Sequence, residues 1–202
     1  MFLRDVIIST LVQTAVLAGV PGLIYFAYHR LRYGRSAREV ATRLGLCLGE
    51  PRHILHSLAI AGALVSVLAV SRVGTLAADG LALQPFAGRG LTVATAIAAL
   101  FYGGLQTGFT EELVFRGLIA GSFARRLPPV WANVAQALAF SLVHLPILLV
   151  APEMWGFLAA VFAIALVLGW IRIQSGSIVG PWLIHGVANT AVALMAAAQT
   201  VP

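Results

Sequence analysis

The chain has 202 residues, of which 60% are hydrophobic and 10% are charged, and its mean hydropathy is +0.94. A soluble domain of this length cannot bury so much apolar side chain, so the composition excludes a soluble globular protein and predicts a polytopic membrane protein. The net charge of +6 comes from arginines that gather between apolar runs, a pattern that indicates membrane orientation and argues against a nucleic-acid partner.

Six apolar segments follow one another along the chain, and each predicts a membrane helix. A spanning helix needs about 20 apolar residues, and lipid tolerates only helices or closed barrels. These runs are too long and too unalternating for barrel strands, so we expect an all-α transmembrane bundle of about six to seven helices. The segments are 6–28, 54–71, 91–127, 130–150, 155–173 and 178–198.

The first and third segments differ from a simple spanning helix. Segment 6–28 is longer than a typical signal-peptide core of roughly 7–15 residues, so we expect a retained span. Segment 91–127 is too long for one perpendicular helix and is expected to be tilted or broken. Its predicted weak points are Gly103, Gly104 and Gly108.

We expect a single integral membrane domain over residues 1–202. Residues 1–90 would hold the N-terminal spans and an arginine-rich connection at 29–52, and residues 91–198 would hold the helices that carry the functional motifs. The positive-inside rule places the arginine-rich connection in the cytoplasm. Three histidines in or next to it are assigned to solvated surface, namely His29, His53 and His56.

Three segments contain short polar motifs, which are costly in a membrane and usually face a cavity or a partner. The motifs read TEELVFRG, FSLVH and HGVAN. Spacing of i,i+4 puts a pair of side chains from each motif on one helix face. The pairs are Glu112 and Arg116, Phe140 and His144, and His185 and Asn189. Glu111 points roughly 100° away from Glu112 around a helix, so the two carboxylates are predicted to have different roles.

The residue types in these motifs suit hydrolysis. A carboxylate and an imidazole can share a water and take its proton, while a second imidazole and an amide are suitable donors to an oxyanion. Ser141 is the nearest hydroxyl nucleophile, but it lies off the face that Phe140 and His144 share. The pattern therefore favours an activated water over a covalent intermediate.

Most of these residues also have a structural interpretation. Glu112 and Arg116 can form an ion pair that holds helices together, and Asn189 can join helices by hydrogen bonding. Phe140 can be core packing or a pocket wall. Glu111 is the residue for which a purely structural role explains least.

Together, the three motifs resemble the CPBP family, which groups type II CAAX prenyl endopeptidases with bacteriocin-processing relatives. The family pattern is EExxxR, then FxxxH, then HxxxN or HxxxD, each on its own membrane helix. All three occur here in that order, and the extended form EELxFRG is matched through Gly117. The likeness covers about 91–198.

The resemblance implies an intramembrane endopeptidase whose pocket opens toward the cytoplasm. It implies that Glu111 activates a water with His144, and that His185 and Asn189 form the oxyanion hole. The implied catalytic set is Glu111, Glu112, His144, His185 and Asn189, with Arg116 and Phe140 in supporting roles.

The cofactor, the substrate and two other functions stay open. A metal-free mechanism is more similar to the family, but zinc is possible, and its ligands would be Glu111, His144 and His185. The expected partners are the bilayer and a protein or peptide substrate, prenylated or not, and the lysine-free composition favours a bacterial inner membrane. The alternatives are a non-catalytic scaffold or bacteriocin-immunity-type binding protein, and a small transporter, which the lack of inverted repeats disfavours.

Overall fold

The computed structural model describes residues 1–70 and 83–199, which form helices joined by short connections. Among these residues, five helices are long and apolar enough to cross a membrane. The predicted all-α polytopic fold is therefore confirmed, and the chain is an integral membrane protein. Between the predicted segments 54–71 and 91–127 the sequence indicates a loop, and its residues 72–82 lie outside the described residues.

The helices are numbered in chain order. They are α1 Phe2–Thr14, α2 Val20–Tyr33, α3 Ala37–Arg43, α4 Pro51–Val70, α5 Val93–Leu100, α6 Gly121–Phe123, α7 Pro129–Leu142, α8 Ile147–Val150, α9 Trp155–Ser175 and α10 Val179–Ala198. Three π-helical segments are named π1 (Ala15–Gly19), π2 (Phe101–Phe109) and π3 (Glu112–Ala120), and Pro152–Met154 is a 3₁₀ turn.

The candidate spans match the predicted segments to within about five residues at each end. They are Phe2–Tyr33, Pro51–Val70, Pro129–Leu149, Pro152–Ser175 and Val179–Ala198. The remaining predicted segment, 91–127, contains α5, π2, π3 and α6, so it is not a regular α-helix. Its first irregular part, π2, includes all three of the glycines that the sequence identifies as weak points.

Local sequence signals account for several helix ends. Ser36 and Glu39 form a reciprocal capping box at the start of α3, and the hydrogen bonds from Ser36 lower the pKa of the Glu39 carboxyl. The Thr92 hydroxyl accepts from the backbone N–H of Thr95 and caps α5. Gly176 ends α9 in the left-handed region, with φ of 69°, where a residue without Cβ is favoured.

The chain divides into two compact units, and each is described by itself. Unit 1 comprises Met1–Pro21, Leu55–Glu111 and Trp182–Pro202, and unit 2 comprises Gly22–Ile54 and Glu112–Pro181. The single-domain organisation stays a prediction.

Unit 1 is held together by small side chains and by hydrogen bonds between helices. Its core contains Phe86 with alanines of α5 and α10, among them Ala98 and Ala193, which are fully buried. The buried Thr10 hydroxyl in α1 donates to the side-chain carbonyl of Gln106 in π2 at 2.9 Å. The core therefore packs α5 against α10, and the hydrogen bond joins π2 to α1.

Unit 2 packs α7 against α9 through two buried amides. Asn133 donates to the carbonyl of Leu166 at 2.9 Å, and Gln136 donates to the carbonyl of Ala165 at 2.8 Å. Gly169 leaves the space these amides occupy, because a Cβ there would overlap both of them. Interhelical amide bonds of this kind are typical of membrane helix packing.

The assignment of His29 to solvated surface is wrong. Its side chain is 7% exposed and packs against the rings of Tyr25, Tyr28 and Tyr33. Arg35 donates to its Nδ1 at 2.6 Å. The sequence places His29 at the edge of an arginine-rich connection, but the aromatic side chains of α2 cover it.

Candidate active site

The motif residues are distributed over both units. Glu111, His185 and Asn189 belong to unit 1, and Glu112, Arg116, Phe140 and His144 belong to unit 2. The two adjacent carboxylates, Glu111 and Glu112, have different surroundings. Glu112 is fully buried, whereas the Glu111 side chain is 28% exposed. Different roles for the two carboxylates are consistent with this contrast.

In unit 1, Glu111 and His185 face each other. The Glu111 Oε2 atom lies 3.8 Å from His185 Nε2, and the His185 side chain is 13% exposed. This distance is too long for a direct hydrogen bond, yet one water at about 2.8 Å from both atoms would bridge it. A carboxylate and an imidazole at this separation can hold, polarise and deprotonate a single water.

Asn189 lies one helical turn beyond His185 and is oriented by Thr107 of π2. Its amide nitrogen donates to the Thr107 hydroxyl at 2.9 Å, and that hydroxyl donates to the Tyr102 carbonyl at 3.1 Å. One of the two Asn189 N–H groups is therefore used to fix the side chain. The second can donate to another acceptor, which an oxyanion-binding role requires.

Close packing of glycines brings π2 and α10 together at this site. A Cβ on Gly108 would lie 2.9 Å from the Gly186 Cα, and one on Gly103 would overlap the backbone nitrogen of Thr190. The indole N–H of Trp182 donates to the Gly104 carbonyl at 2.6 Å. These contacts fix the separation of α10, which contains His185, and π2, which ends two residues before Glu111.

In unit 2, Glu112 and Arg116 form the ion pair that their spacing predicts. The Arg116 Nη1 atom lies 2.9 Å from Glu112 Oε1, and both side chains are 0% exposed. The Arg116 guanidinium also lies over the Phe140 ring, 4.4 Å from its centroid. Because removing one member of a buried pair leaves an uncompensated charge, this pair is costly to break.

His144 is held in one tautomer by the backbone. Its Nδ1 atom lies 2.8 Å from the Phe140 carbonyl, and because a carbonyl only accepts, Nδ1 must carry a proton. In the neutral ring, Nε2 then has a free lone pair, which suits a general base or a metal ligand. The Phe140 ring packs against the imidazole at a centroid distance of 4.7 Å.

The FSLVH motif does not lie within one continuous helix. Helix α7 ends at Leu142, and His144 follows in a turn that leads to α8. Pro146 explains this, since it lacks an N–H and disfavours helical geometry in the preceding residue. The pairing of Phe140 with His144 persists because the turn keeps a helical hydrogen bond from His144 to Ser141.

Neither unit, over its described residues, contains a group of three or more His, Cys, Asp or Glu side chains arranged to hold a metal ion. Glu111 and His185 are both in unit 1, whereas His144 is in unit 2. The donor types of these three residues match those that zinc accepts. Their use as ligands stays a prediction.

Thr107 contributes to the site, and sequence reasoning did not select it. Thr107 lies four residues before Glu111. Helical spacing places its hydroxyl one turn away from the Glu111 carboxylate, and this spacing is the signal that could have identified it. Arg172, outside the three motifs, is 7% exposed and donates through Nε to the Arg116 carbonyl at 3.1 Å.

Comparison with known proteins gives one family match. Residues 93–191 match the family model described as type II CAAX prenyl endopeptidase Rce1-like. This range contains all three polar motifs. No curated protein and no solved structure matches the chain.

Proposed function

We propose that the chain is an intramembrane endopeptidase of the family described as type II CAAX prenyl endopeptidase Rce1-like, whose model matches residues 93–191. Its substrate would be a protein or peptide in or at the membrane, lipidated or not. The observation that carries this proposal is the 3.8 Å separation of Glu111 Oε2 and His185 Nε2, which places the proposed base next to a proposed oxyanion donor.

In the proposed reaction, Glu111 takes one proton from the water as the water oxygen attacks the peptide carbonyl carbon. The carbonyl oxygen gains negative charge, and His185 with the second Asn189 N–H would stabilise it. The C–N bond then breaks, and the proton held by Glu111 passes to the leaving amine. The remaining hydroxyl becomes part of the new carboxyl group.

His144 is proposed to act with Glu111 in proton transfer through its Nε2 lone pair. The bond from Nδ1 to the Phe140 carbonyl supports this role, because it fixes the tautomer and the ring orientation. The Glu112–Arg116 pair is proposed to support the catalytic groups by holding Phe140 in place beneath His144.

We propose that this chemistry needs no metal, because a carboxylate and an imidazole can activate water directly. If a zinc ion binds, Glu111, His144 and His185 would hold it, and it would polarise the water and the carbonyl. Cleavage in the presence of a chelator distinguishes the two cases.

The arginine distribution supports an orientation with the site open to the cytoplasm, and the lysine-free composition supports a bacterial inner membrane location. Arg30, Arg32, Arg35, Arg38 and Arg43 all lie in or next to the connection that follows the first span. Labelling of Cys47, the single cysteine, by a membrane-impermeant maleimide tests this orientation, because a cytoplasmic thiol reacts only after the membrane is opened.

A membrane peptidome comparison tests the proposed function. Membranes that contain the Glu111→Gln protein should accumulate an uncleaved substrate and lack its products, because an amide cannot take the proton from water. Glu153→Gln is the matched control, since Glu153 is exposed and outside the motifs. Identical peptidomes for wild type and Glu111→Gln would overturn the proposal.

The same comparison separates the enzyme from a scaffold or immunity-type protein, its strongest alternative. The buried Glu112–Arg116 pair and the Asn189–Thr107 bond favour that alternative, because both are contacts that a purely structural core would keep. A scaffold predicts that Glu111→Gln retains the protein's cellular phenotype, whereas an enzyme predicts its loss.

A further inference from the structure

Unit 2 contains a cavity of about 290 Å³ that the proposed hydrolysis does not use. Its polar lining comes from three arginines at the ends of different elements, Arg43 of α3, Arg125 just after α6 and Arg172 of α9. Its apolar lining includes Ala120, Ala124 and Ile173. Three cations beside an apolar wall form an unusual cavity for a chain with so few charges.

No carboxylate among the described residues lies within 4.0 Å of these three guanidiniums. The positive charges of Arg43, Arg125 and Arg172 therefore face the cavity without local compensation. Like charges held close together repel, and an anion between them removes that repulsion.

The three guanidiniums also keep donors available. A guanidinium has five N–H donors. Arg172 uses two on the carbonyls of Arg116 and Arg43, and Arg43 uses one on the Tyr25 hydroxyl. Arg125 uses three, on the Arg43 carbonyl, the Tyr25 hydroxyl and the Ser122 hydroxyl. The other donors have no acceptor among the described residues.

Two glycines lie against the arginines of this cavity, and one of them, Gly121, also lines it. A Cβ on Gly45, whose φ is 75°, would lie 2.8 Å from the Arg172 guanidinium carbon. A Cβ on Gly121 would lie 3.1 Å from the Arg43 carbonyl oxygen and 3.4 Å from Arg125 Nη1. The close approach of the arginines to the backbone thus depends on residues without side chains.

The cavity lies at the level where a span ends. Arg172 precedes Ser175, the last residue of the span Pro152–Ser175, by three residues, or about 4.5 Å along the helix. Lipid head groups occupy this level in a membrane. Basic pockets at such a position suit anionic head groups, and an arginine can bind phosphate oxygens through two parallel hydrogen bonds.

We propose that this cavity binds the phosphate group of an anionic phospholipid. The site is separate from the proposed hydrolysis, and its failure leaves that proposal intact. The phosphate would accept hydrogen bonds from Arg43, Arg125 and Arg172, and the acyl chains would follow the apolar wall.

The test is lipid retention by the full chain, purified from mixed phosphatidylglycerol and phosphatidylcholine vesicles and measured by native mass spectrometry. Wild type should retain more phosphatidylglycerol than phosphatidylcholine. Arg125→Gln should weaken that retention roughly tenfold, because one charge-assisted contact is lost. Arg126→Gln is the matched control, since Arg126 is an exposed neighbour that does not line the cavity.

Each other outcome has a defined meaning. Equal loss in Arg125→Gln and Arg126→Gln, or no preference in wild type, overturns the proposal. Displacement of the lipid by millimolar inorganic phosphate assigns the cavity to a free oxyanion and overturns the lipid assignment. If Arg125→Gln does not fold, Arg43→Gln is the second variant. Its side chain donates only to Tyr25, so its replacement disturbs the fold less. It should show the same loss of phosphatidylglycerol retention.

Discussion

At the residue scale, Asn189 depends on a partner that lies 82 positions away in the chain. The Thr107 hydroxyl accepts a hydrogen bond from the Asn189 amide and donates one to the Tyr102 backbone carbonyl. Thr107 is therefore a positioning residue in the proposed reaction, because it acts on the carbonyl oxygen of the substrate only through Asn189.

Replacing Thr107 by valine should lower kcat roughly tenfold, the effect of about one lost hydrogen bond, with little change in KM or thermal stability. The valine keeps the shape of threonine but removes the acceptor. Steady-state kinetics in lipid nanodiscs measure the effect. Thr107→Ser keeps the hydroxyl and should restore the rate; full activity in the valine variant would show that Asn189 needs no positioning.

Residue pairs within one helix could be predicted from the sequence, and pairs between helices could not. Spacing of i,i+4 predicts the contact of Glu112 with Arg116 and that of Phe140 with His144, and both are present. The approach of Glu111 to His185 depends on the packing of two elements. No periodicity in the sequence determines such a distance.

At the element scale, π2 and α10 are the elements whose packing matters most for the site. The sequence predicts that segment 91–127 is irregular, and its glycines indicate where. It does not predict π-helical geometry, which depends on how the backbone adapts to its neighbours. Nor does it predict that Gly103 allows π2 to approach the backbone of α10 at Thr190.

Gly103→Ala should lower the free energy of unfolding by about 1–3 kcal/mol, because the new methyl group would overlap the Thr190 backbone, which cannot move as a side chain can. Thermal unfolding in nanodiscs measures this. Gly62→Ala is the matched control, since a Cβ at Gly62 of α4 meets nothing within 4 Å. It should leave the protein as stable or more so, because alanine favours helices. Equal stability of the two variants would contradict close packing at Gly103.

At the scale of the whole molecule, composition and run length predict the all-α membrane fold, and the three motifs predict the family. The match over residues 93–191 confirms the family resemblance. Substrate, metal use and the roles of the motif residues stay proposals. A motif carries the chemistry of the reacting bond, whereas substrate choice depends on surfaces that no short pattern encodes.

The central proposal, which follows from the family resemblance, is that Glu111 and His144 act in the same chemical step. A double-mutant cycle on the cleavage rate tests it, with Glu111→Gln, His144→Gln and the double variant purified in nanodiscs with a chelator present. The substrate is the peptide that accumulates in Glu111→Gln membranes.

Each single variant should lose at least about 100-fold in rate, the usual size of a general acid–base contribution. The double variant should lie within about tenfold of the slower single variant, because groups that act as a unit are not additive. Wild type and the Glu153→Gln control should keep their full rate. If the rate loss of the double variant equals the product of the two single losses, the two groups act independently and the account is contradicted. Near-wild-type activity in either single variant would contradict it as well.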